Sequence, residues 1–266
     1  MKPHYRTLFI SDVHLGTRAC QAELLVDFLR EHDADTIFLV GDIVDFWRIK
    51  RGAIWPQSHN DVLQKILRKV RKGTRVVFIP GNHDDGLRAY AGQRFGGIEI
   101  ELQAEHVTAD GRRYVVMHGD EFDVVVRYAK WLAFLGDRGY QLALWANYPV
   151  NFVRRRFGLG YWSLSAYLKM RVKGAVNFIG EFEDKLSSEA KRRHADGVIC
   201  GHIHHAASRE ADGFHYVNTG DWVESCTAVL EHQDGRFELV RWLDVVKARQ
   251  QAAERMSEEP AKLEAA

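Results

Sequence analysis

Apolar runs in this 266-residue chain repeatedly end on side chains that bind metal ions or move protons. Thr7-Leu-Phe-Ile-Ser11 leads into Asp12-Val13-His14, and Thr36-Ile-Phe-Leu-Val40 leads into Gly41-Asp42. Arg75-Val-Val-Phe-Ile79 is stopped by Pro80 and followed by Gly81-Asn82-His83-Asp84. Arg113-Tyr-Val-Val-Met117 meets His118-Gly119-Asp120, and Gly197-Val-Ile-Cys200 meets Gly201-His202-Ile203-His204. Any one ending could be a turn or a helix cap, since Asn, Asp and Gly favour both. Their joint occurrence points elsewhere: unpaired buried Asp and His are costly, and divalent cations satisfy them. Carboxylate, amide and imidazole donors with no thiolate suit Mn²⁺, Fe²⁺ or Zn²⁺. Asp12, His14, Asp42 and His204 are expected around one ion. Asp42, Asn82, His118 and His202 are expected around a second, with the Asp42 carboxylate shared. Cys200 is expected to point into the core.

Such residues meet only if the strands align. Open α/β sheets collect ligands at the carboxyl ends of their strands. Between the first runs lie amphipathic stretches, Ala22 to His32 and about Asp61 to Lys72, each with an apolar stripe at helical spacing. A polar and aromatic loop through Asp45, Phe46, Trp47 and Trp55 separates them. Gly180 to Arg193 reads as another helix. Strand–helix alternation predicts parallel βαβ units. The later runs Phe214–Val217, Thr227–Glu231 and Phe237–Trp242 predict a second, largely antiparallel sheet. The expected organisation is a core of 1–120 and 180–246, an insertion of 121–179, and a polar tail of 247–266 that is a solvated helix or disordered.

In order, Asp12-x-His14, Gly41-Asp42, Gly81-Asn82-His83-Asp84, His118-Gly119 and Gly201-His202-x-His204 resemble the motifs of the calcineurin-like metallophosphoesterases. The resemblance runs from about Leu8 to His204, outside the middle segment. It implies a four-layer α/β/β/α sandwich with a two-metal site. Two cations about 3.5–4 Å apart would hold a bridging hydroxide for in-line attack on phosphorus. His83, beside a ligand, suits protonation of the leaving oxygen. Asp84 is expected to orient His83 or a ligand, and Asp120 is either a supporting residue or a turn residue.

The insertion is rich in aromatics. Between Arg138 and Lys173 it has no Asp or Glu, yet it holds Arg154, Arg155, Arg156, Lys169, Arg171 and Lys173. A cap with cations for phosphate and apolar walls for acyl chains fits this composition, as does a basic amphipathic surface on anionic lipid. Plain packing of the aromatics is the bland alternative. Within the superfamily, Gly41-Asp42-x-x-Asp45-x-Trp47, His118-Gly119-Asp120 and Phe152-Val-Arg-Arg-Arg156 are most similar to the UDP-2,3-diacylglucosamine diphosphatases of lipid A synthesis. That resemblance implies cleavage of a nucleotide pyrophosphate to UMP and a lipid monophosphate, Mn²⁺ dependence and peripheral association with the inner membrane face. The chain departs from that family at His83, where the family carries Arg, and at Glu121-Phe122-Asp123, where its motif begins with Thr. The chain therefore reads as a sister branch. Arg would be a fixed cation on a pyrophosphate, whereas His can exchange a proton.

Composition narrows the alternatives. Hydrophobic residues make up 46% and charged residues 27%, with a formal net charge of +1. That balance gives no bulk attraction for a long polyanion, which ranks a nuclease low and predicts no stable nucleic acid partner. A catalytically silent scaffold ranks low too, because every expected ligand position is filled. A phosphatase or phosphodiesterase acting on another small phosphorylated substrate is the main alternative. Cys20, Cys200 and Cys226 read as free thiols in a reducing compartment. No leader or membrane-crossing run is legible, so a cytoplasmic location is expected.

Overall fold

The computed structural model describes residues 2–52, 54–122, 156 and 164–263, with backbone alone for 164–177 and 255–263. The first elements are β1 (His4–Ile10), α1 (Ala22–Glu31), β2 (Asp33–Val40), α2 (Phe46–Ile49), α3 (Gln57–Arg71) and β3 (Arg75–Ile79). Short strands β4 (Arg94–Phe95), β5 (Ile98–Ile100), β6 (Ala104–Val107) and β7 (Arg113–Val116) follow. The long helix α4 (Leu164–Arg192) leads to β8 (Gly197–Cys200), β9 (Ala207–Ala211) and β10 (Phe214–Asn218). The described chain closes with β11 (Thr227–Glu231), β12 (Phe237–Arg241) and α5 (Trp242–Leu263).

The apolar runs are two-faced, as the strand period of two requires. Leu8 and Ile10, Ile37 and Leu39, and Val76 and Phe78 pack against Leu25, Phe28 and Leu29 of α1 and Val62 and Ile66 of α3. The alternate residues Phe9, Phe38, Val40, Val77 and Ile79 face Tyr114, Val116, Ile199 and Val217 of the other sheet. Burial on both faces explains why these strands read as unbroken apolar runs rather than as alternating ones.

The strand order is β12-β11-β1-β2-β3-β5-β4 in a 7-stranded sheet and β6-β7-β8-β10-β9 in a 5-stranded one. Both sheets are mixed, which corrects the expectation of a largely antiparallel second sheet. The β11–β12 hairpin joins the first sheet, where β11 covers the remaining edge of β1 (Leu8 opposite Leu230). In the second sheet β7 and β8 are parallel, as are β8 and β10. Long connections permit such parallel pairing. On the outer side of that sheet the last turn of α4 places Lys191 over the Phe214 ring at 5.0 Å. The result is an α/β fold of two mixed sheets flanked by helices.

Two compact units are present, Met1–Asp120 with Glu189–Ala266, and Glu121–Ser188. The helix expected from Gly180 begins at Leu164 instead and runs through Gly174 and Gly180. A mid-helix Gly costs only about 1 kcal/mol against Ala, too little to stop a helix of 29 residues. The carboxyl-terminal stretch is helical from Trp242, and Arg249 lies over the Trp242 ring at 4.9 Å and reaches Glu31 of α1 at 3.3 Å. Among the described residues no helix is long and apolar enough to cross a membrane.

Candidate metal centre

Parallel register sets the site. Ile10 is opposite Leu39, and Val40 is opposite Ile79, so β1, β2 and β3 stop nearly level. Their loops then zip together: the Asp12 N–H donates to Gly41 C=O (3.0 Å), and the His14 N–H to Asp42 C=O (2.9 Å). Val116 is opposite Ile199 in the other sheet, which places His118 and His202 at the same edge.

The backbone there is strained. Asp12 (φ 51°), His14 (53°), Asp42 (55°), His202 (72°) and His204 (53°) all sit in the left-handed region. Each such residue costs roughly 1–2 kcal/mol, and so many persist only where the surroundings over-determine them. Two glycines make room. A Cβ on Gly41 would lie 2.1 Å from His118 Nδ1, and one on Gly81 would lie 2.3 Å from Asp42 Oδ1.

Two clusters emerge from the expected residues. Asp12, His14 and His204 form one: Asp12 Oδ1 is 3.2 Å from His204 Nε2, which is 3.3 Å from His14 Nε2. Asp42, His118 and His202 form the other, with Asp42 Oδ2 3.4 Å from His118 Nε2 and the two imidazole centroids 5.1 Å apart. The same Asp42 oxygen is 3.9 Å from His14 Nε2, so it faces both clusters. Its other oxygen accepts the His83 N–H at 2.8 Å. His118 donates from Nδ1 to Val40 C=O at 2.8 Å, which leaves Nε2 as the nitrogen that faces Asp42.

These donors fit divalent cations. Asp12 Oδ1, Asn82 Oδ1 and His118 Nε2 are buried without a hydrogen bond, a state that proteins otherwise avoid. The charges agree. Burial works against a charged His118, but Asp42 and then Asp12 outweigh it and push the ring up to about 10. Burial likewise opposes ionisation of Asp42 and Asp12, yet the neighbouring imidazoles hold both below the usual carboxylate range. A field that draws protons onto imidazoles also draws in a cation.

Of the two roles expected of Asp84, orienting His83 or orienting a ligand, its contacts match the second. The His83 ring meets Asp45, not Asp84: His83 Nδ1 is 3.0 Å from Asp45 Oδ2, and Trp47 covers the ring at 4.3 Å between centroids. Asp45 also reaches His14 Nδ1 at 3.5 Å and caps α2 by accepting the Arg48 N–H at 2.7 Å. Asp84 is fully buried and accepts backbone N–H groups from Gly81 (2.6 Å), Ile43 (2.7 Å), Val44 (3.2 Å) and Asp42 (3.3 Å). It therefore fixes the Asp42 loop. Burial, then the Asp42 charge, pushes its carboxyl up to about 6. Asp120 accepts the Arg88 guanidinium at 2.7 Å, a supporting contact and not a bare turn. The Cys200 thiol is buried against Tyr216 and Val217, and all three cysteines are free.

Sequence reasoning passed over two sets of residues. Asp45 reads in the sequence as part of a loop and of the Gly41-Asp42-x-x-Asp45-x-Trp47 motif but not as a partner of His83, although it stands three positions after Asp42. The end of β10, Asn218-Thr219-Gly220-Asp221, carries the same apolar-run-then-Gly-Asp signal as the other strand ends. Asp221 lies 3.9 Å from His204 Nδ1. In the insertion, Arg154 and Arg155 lie outside the described residues and Arg156 is exposed, while Lys169, Arg171 and Lys173 are placed on α4 by backbone alone.

Residues 5–206 match the calcineurin-like phosphoesterase family. A UDP-2,3-diacylglucosamine hydrolase from Actinobacillus succinogenes is 26% identical over 88% of this chain and 99% of its own length. Another of that name, from Shewanella halifaxensis, is 24% identical over 88% and 97%. Among solved structures, Yfce, a phosphoesterase from E. coli, is similar at 12% identity over 88% of this chain and 98% of that one, with a TM-score of 0.44.

Proposed function

Because the chain belongs to the calcineurin-like phosphoesterase family, we propose that it hydrolyses a phosphoester or pyrophosphate bond with two divalent cations, and that its substrate is UDP-2,3-diacylglucosamine or a close analogue. The observation that carries the reading is Asp42 Oδ2, a buried oxygen facing His118 Nε2 at 3.4 Å and His14 Nε2 at 3.9 Å, and so both clusters. Asp12, His14, Asp42 and His204 would hold one ion, and Asp42, Asn82, His118 and His202 the other. Mn²⁺ is the first choice for this donor set, then Fe²⁺ or Zn²⁺. Bound there, the cations supply acidification of water and neutralisation of charge on phosphoryl oxygens.

The chain's own groups do the rest. Burial disfavours a charged His83, but Asp45 and Asp42 outweigh it and hold the ring above the usual imidazole range. Those carboxylates thus favour a proton on His83, which the ring can give to the leaving oxygen. Asp45 holds its Nδ1 side, leaving Nε2 for that transfer. Asp84 keeps the Asp42 loop in its strained shape. The insertion, read as a cap, would place Arg154, Arg155, Arg156, Lys169, Arg171 and Lys173 against substrate phosphates or an anionic lipid surface. The names of the relatives support the nucleotide-lipid choice; a cytoplasmic enzyme resting on the inner membrane face suits such a substrate.

The test is direct. Purified protein with Mn²⁺ should release UMP and a lipid monophosphate from UDP-2,3-diacylglucosamine. Hydrolysis of bis-p-nitrophenyl phosphate without UMP release would move the substrate elsewhere while keeping the reaction class. Activity on neither would remove the proposal.

A further inference from the structure

Asp12 has one oxygen too many for a ligand that must aim a single lone pair. The structure resolves the choice. Its N–H donates to Gly41 C=O at 3.0 Å, and its C=O accepts the Trp222 N–H at 3.0 Å. Oδ2 accepts the His202 N–H at 3.0 Å and a short bond from the Ser11 hydroxyl. Oδ1 alone has no hydrogen bond, and it faces His204.

Proton counting sets the direction of the Ser11 bond. An ionised carboxylate only accepts, so the single Ser11 proton goes to Asp12. The Ser11 oxygen is also 2.5 Å from Thr219 Oγ1 and 3.1 Å from Gly220 C=O. With its own proton committed, Ser11 accepts from Thr219, whose hydroxyl also lies 3.2 Å from Cys200 C=O. All three side chains are fully buried, so no bulk water replaces either bond. A two-hydroxyl chain thus runs from β10, through Ser11, to Asp12. It ties the β10 end to the loop carrying Asp12, while the His202 N–H ties in the loop carrying His202 and His204.

We propose that Ser11 and Thr219 are positioning residues of the metal centre: they commit Asp12 Oδ2 to the protein, so that Oδ1 alone serves the first cation. This rests on the two-cation reading above and goes beyond it in assigning residues outside the ligand set. Removing such supporting partners usually weakens metal binding by about 10–100-fold. Without the Ser11 hydroxyl, Oδ2 keeps only the His202 N–H, and the Asp12 carboxylate that faces His204 is held less firmly.

Mn²⁺ titration followed by the electron paramagnetic resonance of free Mn²⁺ tests this, with melting of the metal-free protein as the control for folding. Wild type should bind two ions. Ser11→Ala should bind one as wild type does and the other about 10–100-fold more weakly. Thr219→Val should weaken the same site, and Thr219→Ser, which restores the hydroxyl, should return it to wild-type affinity. If Ser11→Ala does not fold, the Val and Ser variants at position 219 decide alone. Folded variants that bind both ions with wild-type affinity, or Thr219→Ser as weak as Thr219→Val, overturn the proposal. Wild type binding no Mn²⁺ would overturn the two-cation reading as well, so the two failures are told apart.

Discussion

His83 sits between a carboxylate and an indole, 3.0 Å from Asp45 Oδ2 and covered at 4.3 Å by the tilted Trp47 ring. Packing and charge thus hold it beside Asp45, in a third group of donors that also includes His14. His83→Ala should lower kcat about 10²–10⁴-fold while leaving Mn²⁺ stoichiometry unchanged, because a general acid is lost and no ligand is. Steady-state kinetics together with metal analysis checks this; loss of an ion would make His83 a ligand instead. Asp45→Asn should lower kcat in the same direction and shift the alkaline limb of its pH profile downward, since the carboxylate that raises the imidazole has gone. The residue types at this site were largely legible in the sequence, because turns and caps do not explain Asp, His and Asn at the ends of so many apolar runs together. Their partners were not. Nothing local marks Asp45 over Asp84 as the group that meets His83. The left-handed backbone of Asp12, His14, Asp42, His202 and His204 is likewise a product of tertiary contacts.

Elements impose their own limits. Gly81 follows Pro80 at the end of β3, and a Cβ there would stand 2.3 Å from Asp42 Oδ1 and 2.6 Å from His118 Nε2. Gly81→Ala should therefore weaken Mn²⁺ binding by at least about 10-fold, whereas Gly86→Ala, with open space around it, should leave binding unchanged. Calorimetric titration of the two variants makes the comparison.

The two sheets are also tied by a buried side-chain hydrogen bond. His106 Nε2 of β6 is 2.7 Å from Glu231 of β11, which also accepts the Ala109 N–H at 3.0 Å. Burial raises the Glu231 pKa, but the His106 contact and the Ala109 N–H outweigh it and hold the carboxyl below its ordinary 4.5. A depressed acid stabilises the fold above its unfolded value, so this contribution is whole above pH 4.5 and lost as pH falls through the folded value. Glu231→Gln should cost about 2 kcal/mol at pH 7 and flatten the acid limb of stability against pH, measured by urea unfolding. An unchanged acid limb would place that acid sensitivity elsewhere. The strands and first helices were readable from period and length. The mixed pairing of the sheets was not, because hairpin signals do not say which sheet edge a hairpin will cover.

At the scale of the whole molecule the chain divides into a unit of Met1–Asp120 with Glu189–Ala266 and a second of Glu121–Ser188. The candidate metal donors belong to the first. Substrate choice is proposed for the second, whose cations stand out only because acids are missing from the same stretch. Replacing Arg154, Arg155 and Arg156 together with Ala should raise KM for UDP-2,3-diacylglucosamine several-fold and leave turnover of bis-p-nitrophenyl phosphate unchanged. Equal loss on both substrates would mean that these cations support the fold and not the lipid.

All of this depends on the pocket at the strand ends holding two cations with Asp42 between them. Anomalous diffraction from Mn²⁺-loaded crystals measures that directly. Two peaks should appear on either side of Asp42, one among Asp12, His14 and His204, the other among Asn82, His118 and His202. A pocket with no peak, or a single peak that Asp42 does not touch, would contradict it.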